Sequence, residues 1–137
     1  RMHPNVSYRD YPLTYTDRIL NASPYENMQE LLVASDVIIS DYSGCAFDFP
    51  MIGKPGFLYA EDYEEMKRTK DNYFDLKDLP FTLALTNEEL MEQIEAFDEE
   101  DYRRKCKDFC DMLGFYDDGH ASEAVADIIM EKMQEKE

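Results

Sequence analysis

The chain has 137 residues, of which 44% are apolar, and a formal net charge of −17. That length and apolar share fit one globular domain with a real core, and no apolar run approaches the roughly 18 to 20 residues that cross a bilayer. The acidic balance offers no basic face for nucleic acid and repels anionic lipid.

The charge is uneven. Residues 1–60 carry 4 basic and 7 acidic side chains, whereas residues 61–137 carry 10 and 24. A bound anion is therefore expected in the less acidic part, near Arg1, His3 and Arg9. Three cysteines make no disulfide framework, and Cys106 and Cys110, four apart on one helical face, read as core thiols rather than metal ligands. The cytoplasm fits that usage. Nothing marks secretion, and a chain that opens with Arg1 directly against His3-Pro4-Asn5 reads as a piece of a longer protein. A targeting or membrane-binding element could then lie elsewhere in it.

In chain order, residues 1–4 read as a strand end and a turn, and residues 5–17 as a polar, aromatic loop. Ile19-Leu20 is a candidate short strand. Ser23-Pro24-Tyr25-Glu26 has the form of a capping box with proline at the first helical position, opening a helix that carries Met28, Leu31 and Leu32. Val37 to Ser40 reads as a strand of the buried type, with Val37 to Ile39 expected in the centre of the sheet. Ser43 to Ile52 reads as the next helix, stopped by Gly53, and Pro55 to Tyr59 as another strand. Residues 61–70 suit a helix that is acidic first and basic last. Residues 71–82 are an aromatic loop, and Leu83 to Leu85 a last edge strand. Thr86-Asn87-Glu88-Glu89 is a second capping box, whose helix places Leu90, Ile94 and Phe97 on one face. Helices over 99–113, ended by Gly114, and about 121–134 complete the chain; the last has Ala121, Val125, Ile128, Ile129 and Met133 in register. Alternating strands and helices predict an α/β fold with a Rossmann-like parallel sheet.

The most informative stretch is Val37-Ile38-Ile39-Ser40-Asp41-Tyr42-Ser43-Gly44. A β-branched run stops at a small polar pair and a helix follows. The backbone N–H groups at such a turn, with the helix dipole, suit a phosphate. Ser43 adds a hydroxyl, and Gly44 allows close approach to the backbone. The competing reading is a structural turn capped by Ser43. Asp48, about one and a half helical turns on, is placed to accept from a ribose, or else is a solvent-facing aspartate of an early helical turn. His3, beside Arg1, suits an anion or proton transfer, or is a turn histidine. His120 reads as a cap or surface residue. No P-loop, dinucleotide fingerprint or G-x-S-x-G elbow is present.

Arg1-Met2-His3-Pro4, together with Leu31 to Phe49 and its central Ser40-Asp41-Tyr42-Ser43, resembles the CDP-glycerol glycerophosphotransferase family, the teichoic acid primases and polymerases. Lys54-Pro55 with the aromatic strand after it, Glu61-Asp62-Tyr63, Asn72-Tyr73-Phe74-Asp75 and Asp118-Gly119-His120-Ala121-Ser122 match as well. The resemblance runs through nearly the whole chain. It implies the C-terminal, nucleotide-binding half of a two-domain GT-B transferase, with residues 1–137 as one donor-binding domain lacking its upstream part and inactive alone. It implies that His3 contacts the diphosphate of CDP-glycerol or assists transfer of glycerol phosphate to an acceptor hydroxyl. Arg1, Ser43 and the amide of Gly44 would hold the donor, and Asp48 its ribose. No metal and no further cofactor is implied. The partners implied are CDP-glycerol, a polymer or lipid-linked acceptor and the enzyme's own N-terminal domain, at the inner face of the cell membrane. Where the family commonly has a second serine, this chain has Gly44, and its R-G-x-Y pattern is altered over Arg68 to Tyr73. A GT-B enzyme using a nucleotide-activated sugar and a catalytically silent nucleotide-binding module are the alternative readings.

Overall fold

The computed structural model describes residues 1–2, 13–69, 73–115 and 118–135. The chain divides into two compact units, Arg1–Asp36 and Val37–Glu137.

Among its described residues the first unit contains one regular element, α1 (Met28–Ala34). It begins later than Ser23-Pro24-Tyr25-Glu26 predicts, because Asn27 is the better cap: its side-chain oxygen accepts from the Glu30 amide at 3.2 Å. Ser23 and Pro24 lie in a turn instead. Ile19-Leu20 is not a strand. The Thr16 hydroxyl accepts from the Arg18 and Ile19 amides and folds this stretch into a local turn. Arg1 and Met2 are irregular, and the remainder of the expected strand end, residues 3–4, lies outside the described residues.

The second unit is built on a parallel sheet of β1 (Ile38–Ser40), β2 (Gly56–Tyr59) and β3 (Thr82–Ala84), in that spatial order. Ile38 pairs with Gly56, and Leu58 with Leu83. A 3-10 helix (Gly44–Phe47) and α2 (Asp48–Ile52) connect β1 to β2. Then α3 (Tyr63–Thr69) and a second 3-10 helix (Leu76–Asp78) connect β2 to β3. Three helices follow, α4 (Asn87–Glu95), α5 (Glu99–Leu113) and α6 (Ala121–Gln134). The parallel α/β architecture expected from the sequence is present.

The central strand is β2, not the Val37–Ile39 run. Phe57 and Leu58 are both buried, so β2 is covered on both faces. Among the described residues β1 lies at the sheet edge. Ile38 packs on the core, but Ile39 points the other way and is 52% exposed, and Val37 precedes the strand. An apolar β-branched run marks a strand but not its place in the sheet.

Helix ends follow local chemistry. Gly53 and Gly114 adopt φ of 65° and 62° and stop α2 and α5, the left-handed conformation that glycine takes without steric cost. Thr86 caps α4 through the Glu89 amide, and the Glu89 carboxylate reaches back to the Leu85 amide at 2.7 Å. Along α5, Tyr102, Cys106 and Phe109 form the buried stripe, and burial pushes the Cys106 thiol up, as suits a core residue. The apolar residues of α6 are exposed. No helix of the described residues is long and apolar enough to cross a membrane.

Gly56 sits where β1, β2 and the Phe81 ring converge. A Cβ there would lie 2.7 Å from Phe81 Cε1 and 3.1 Å from Ile38 Cγ2. Phe81 is itself buried and cannot swing away. Gly56→Ala is therefore expected to destabilise the fold by about 1–3 kcal/mol through overpacking. Urea unfolding checks this, and an unchanged midpoint would show that the ring has room to yield.

Candidate functional site

The sheet brings three carboxyl ends to one edge. At the end of β1 the chain turns through Asp41, Tyr42, Ser43 and Gly44. Ser43 precedes the 3-10 helix in extended conformation, and its side chain makes no cap hydrogen bond. Its Oγ lies instead 3.1 Å from Cys45 Sγ. The structural-cap reading of Ser43 is thus not what the fold contains. Gly44 is exposed, and a Cβ built on it meets nothing within 4 Å. The backbone here is open to approach from outside, and the fold itself does not require glycine.

The continuous helix expected over Ser43–Ile52 is split. Four residues wind as a 3-10 helix before the five of α2. Leading N–H groups of any helical turn lack intrahelical partners, so donors face the turn. The aligned dipole of so short a pair is small, however, and the electrostatic argument rests on local N–H groups and the Ser43 hydroxyl. Asp48 is half-buried at the junction of the two helical pieces, one turn beyond Gly44. Ser43, Gly44 and Asp48 therefore belong to one short segment. Arg1 belongs to the first unit, where its exposed guanidinium donates to Met28 Sδ at 3.2 Å. His3 and Arg9 lie outside the described residues. His120 precedes α6 without a side-chain cap bond, its Nδ1 3.1 Å from Glu123 Oε2, the surface position its sequence context suggests.

Two side-chain clusters at this edge go beyond the residues singled out from sequence. The Tyr42 hydroxyl donates to Asp62 Oδ1 at 2.8 Å, joining the turn after β1 to the loop after β2. Burial pushes the Tyr42 phenol up, and its bond to the Asp62 carboxylate adds to this, so it remains a donor. The next residue, Tyr63, is buried and donates to Asp75, which also accepts from Lys67 Nζ and the Lys77 amide. Lys67 and Lys77 stand 5.5 and 5.0 Å from the Tyr63 ring centre. Local sequence carries no signal for either cluster, since one joins residues twenty apart and the other residues twelve apart.

In open α/β sheets ligands bind outside the carboxyl ends of the strands, the edge at which the Ser43–Gly44 turn lies. The chain belongs to the CDP-Glycerol:Poly(glycerophosphate) glycerophosphotransferase family, whose profile matches residues 1–131. It is 32% identical over 99% of its length to the teichoic acid poly(ribitol-phosphate) polymerase of Bacillus spizizenii, covering 22% of that protein. It is also 32% identical, over 78% of its length, to the teichoic acid poly(glycerol phosphate) polymerase of Bacillus subtilis, covering 15% of that protein. Among solved structures it is similar to a variant of the wall teichoic acid polymerase TagF, with a TM-score of 0.69 and 26% identity over 96% of this chain and 34% of that one. A second TagF variant, soaked with CDPG, gives a TM-score of 0.67 at 27% identity over 85% of this chain and 30% of that one. The chain thus spans about a seventh to a third of the proteins it matches here.

The Lys67 ammonium and the Tyr63 hydroxyl, with the Lys77 amide, hold the Asp75 carboxyl well below the usual carboxylate range, and Asp75 in turn raises Lys67. A depressed folded-state pKa contributes stability that is complete above the unfolded value of about 3.9 and is lost as pH falls towards the folded value. Asp75→Asn is therefore expected to be less stable than wild type near neutral pH, with the gap closing below about pH 4. Urea midpoints of the two proteins across pH 2–7 measure it; a gap that stays constant would mean Asp75 acts through packing rather than charge.

Proposed function

We propose that this chain is the donor-nucleotide half of a two-domain GT-B glycerophosphotransferase, residues 1–137 serving as one donor-binding domain. The reaction moves glycerol phosphate from CDP-glycerol to a hydroxyl of a teichoic acid or related cell-surface polymer. The observation that carries this reading is the open Ser43–Gly44 turn at the carboxyl end of β1, lying inside the family match over residues 1–131. The work is done at the inner face of the cell membrane, where a lipid-linked acceptor is presented.

In the transfer, an acceptor oxygen attacks the β-phosphorus, the bond from that phosphorus to the bridging oxygen breaks, and CMP leaves with the bonding pair. Phosphoryl chemistry of this kind depends on positioning and on stabilising charge. The Ser43 hydroxyl and the first-turn amides at Gly44 hold the diphosphate, Arg1 adds positive charge, and Asp48 accepts from the ribose hydroxyls. His3 takes the acceptor proton or contacts the diphosphate.

A second donor has its own support. The poly(ribitol-phosphate) and poly(glycerol phosphate) polymerases match this chain at the same 32% identity. CDP-ribitol belongs beside CDP-glycerol in any titration of the full-length protein, and a preference between them decides the donor.

Ser43→Ala is expected to weaken CDP binding by about 1 kcal/mol, a net hydrogen bond, and Gly44→Val by more, through occlusion alone. Asp48→Asn is expected to weaken CDP while leaving inorganic diphosphate unchanged. Calorimetric titration separates these, and equal loss of both ligands in the Asp48 variant would make Asp48 structural. In the full-length enzyme, His3→Ala is expected to lower turnover on the order of 100-fold or more. Turnover close to wild type would remove His3 from the mechanism.

A further inference from the structure

The turn that receives the diphosphate is exposed at Gly44 and lacks a serine cap, so something else must fix its shape. The Ser43 hydroxyl makes a contact within the turn, to Cys45 Sγ, whereas the Tyr42 side chain is anchored outside it. The Tyr42 ring packs against the core, and its hydroxyl donates to Asp62 Oδ1 at 2.8 Å. Asp62 is itself held, since its carbonyl accepts the Glu65 and Met66 amides at the start of α3, each at 3.0 Å. Tyr63, the residue after it, is buried and tied to Asp75. Asp62 is therefore a fixed post in the second unit, and Tyr42 attaches the turn to it one residue before Ser43.

We infer that Tyr42 and Asp62 are positioning residues for nucleotide diphosphate: their hydrogen bond holds Ser43 and Gly44 in the conformation that presents the hydroxyl and the backbone donors together. This rests on the Ser43–Gly44 seat proposed above. Neither residue touches the ligand. An unanchored turn would sample conformations in which the donors diverge, and the apparent affinity would fall by the fraction of time spent there. The ring of Tyr42 supplies core packing whether or not the hydroxyl is present, so Tyr42→Phe removes the tether and leaves the packing.

The test is calorimetric titration of CDP into the full-length protein and its variants. Tyr42→Phe and Asp62→Ala are each expected to raise the CDP dissociation constant roughly fivefold, the effect of one net hydrogen bond. Binding stoichiometry should remain that of wild type, whereas a folding defect would lower it. Asp62→Asn, which keeps an oxygen acceptor for the Tyr42 hydroxyl, should stay within about twofold of wild type. The Tyr42→Phe, Asp62→Ala double variant should be no worse than either single one. Ser43→Ala serves as the reference. If it weakens CDP while Tyr42→Phe and Asp62→Ala do not, the positioning role is wrong and the seat stands. If Ser43→Ala leaves CDP binding unchanged, the seat falls, and this inference falls with it. Additive losses in the double variant, or an Asp62→Asn as weak as Asp62→Ala, would also overturn it.

Discussion

The second unit depends on the burial of β2 from both sides. Phe57 and Leu58 face opposite surfaces of a strand only four residues long, yet both are almost wholly removed from water. This is possible because Gly56 has no side chain, which lets the Phe81 ring close over the start of the strand. Phe81 and Phe97 in turn meet Tyr102 of α5. The contact that locks the sheet thus also seats the longest helix. Each strand is too short to be stable through its ladder alone, so side-chain packing on β2 is what keeps the three carboxyl ends in register. The edge where the turn sits inherits its geometry from that core.

The packing continues beneath the turn. Phe47, at the end of the first 3-10 helix, stacks on Phe109 of α5, and Phe74 meets the same ring edge-on. Two loops that leave different strands therefore rest on one helix. Polar ties complete the arrangement at the top, with Tyr42 to Asp62 and Tyr63 to Asp75. Aromatic rings fix the bodies of the loops, and their hydroxyls fix where the loops point, the dual use that makes tyrosine effective where one end is apolar and the other wet.

The elements with strong local signals were legible in the sequence. Helices α5 and α6 have the predicted bounds because an acidic first turn and Gly114 delimit one, and a regular apolar period the other. Position within the sheet was not legible. The run Val37-Ile38-Ile39 carries the mark of a buried strand, but local sequence cannot report which neighbours a strand has, and β1 proved to be an edge. The start of α1 was misplaced because two caps compete within five residues, and the Asn27 side chain prevails over Ser23. At the site, Ser43, Gly44 and Asp48 were identifiable as one segment. Its break into a 3-10 and an α-helical piece follows from Pro50, which has no N–H for the Ala46 carbonyl four residues back and is tolerated only in the first turn of α2. The Tyr42–Asp62 tie joins residues twenty apart, through a loop path that local sequence does not report.

The charge distribution constrains how such a turn can hold a diphosphate. Residues 61–137 carry 24 acidic side chains against 10 basic ones, and many of those cations are already engaged. Arg103, Arg104, Lys105 and Lys107 pair with carboxylates along α5, and Lys67 with Asp75. A dianionic ligand approaching the carboxyl edge is also repelled, without contact, by the nearby carboxylates of Asp41 and Asp62. Under those conditions neutral donors have an advantage. A hydroxyl or an amide attracts phosphate oxygens at short range without being neutralised in advance by nearby carboxylates, while the repulsion of carboxylates more than about 10 Å away is largely screened by salt. Directional donors, however, work only when aimed. A point charge tolerates an error of an ångström, whereas a hydrogen bond weakens steeply once it bends. Placing neutral donors on an acidic surface therefore transfers the demand from charge to rigidity. On the proposed diphosphate seat, the side chains that fix the turn, Tyr42 above all, are as necessary to recognition as the groups that touch the ligand.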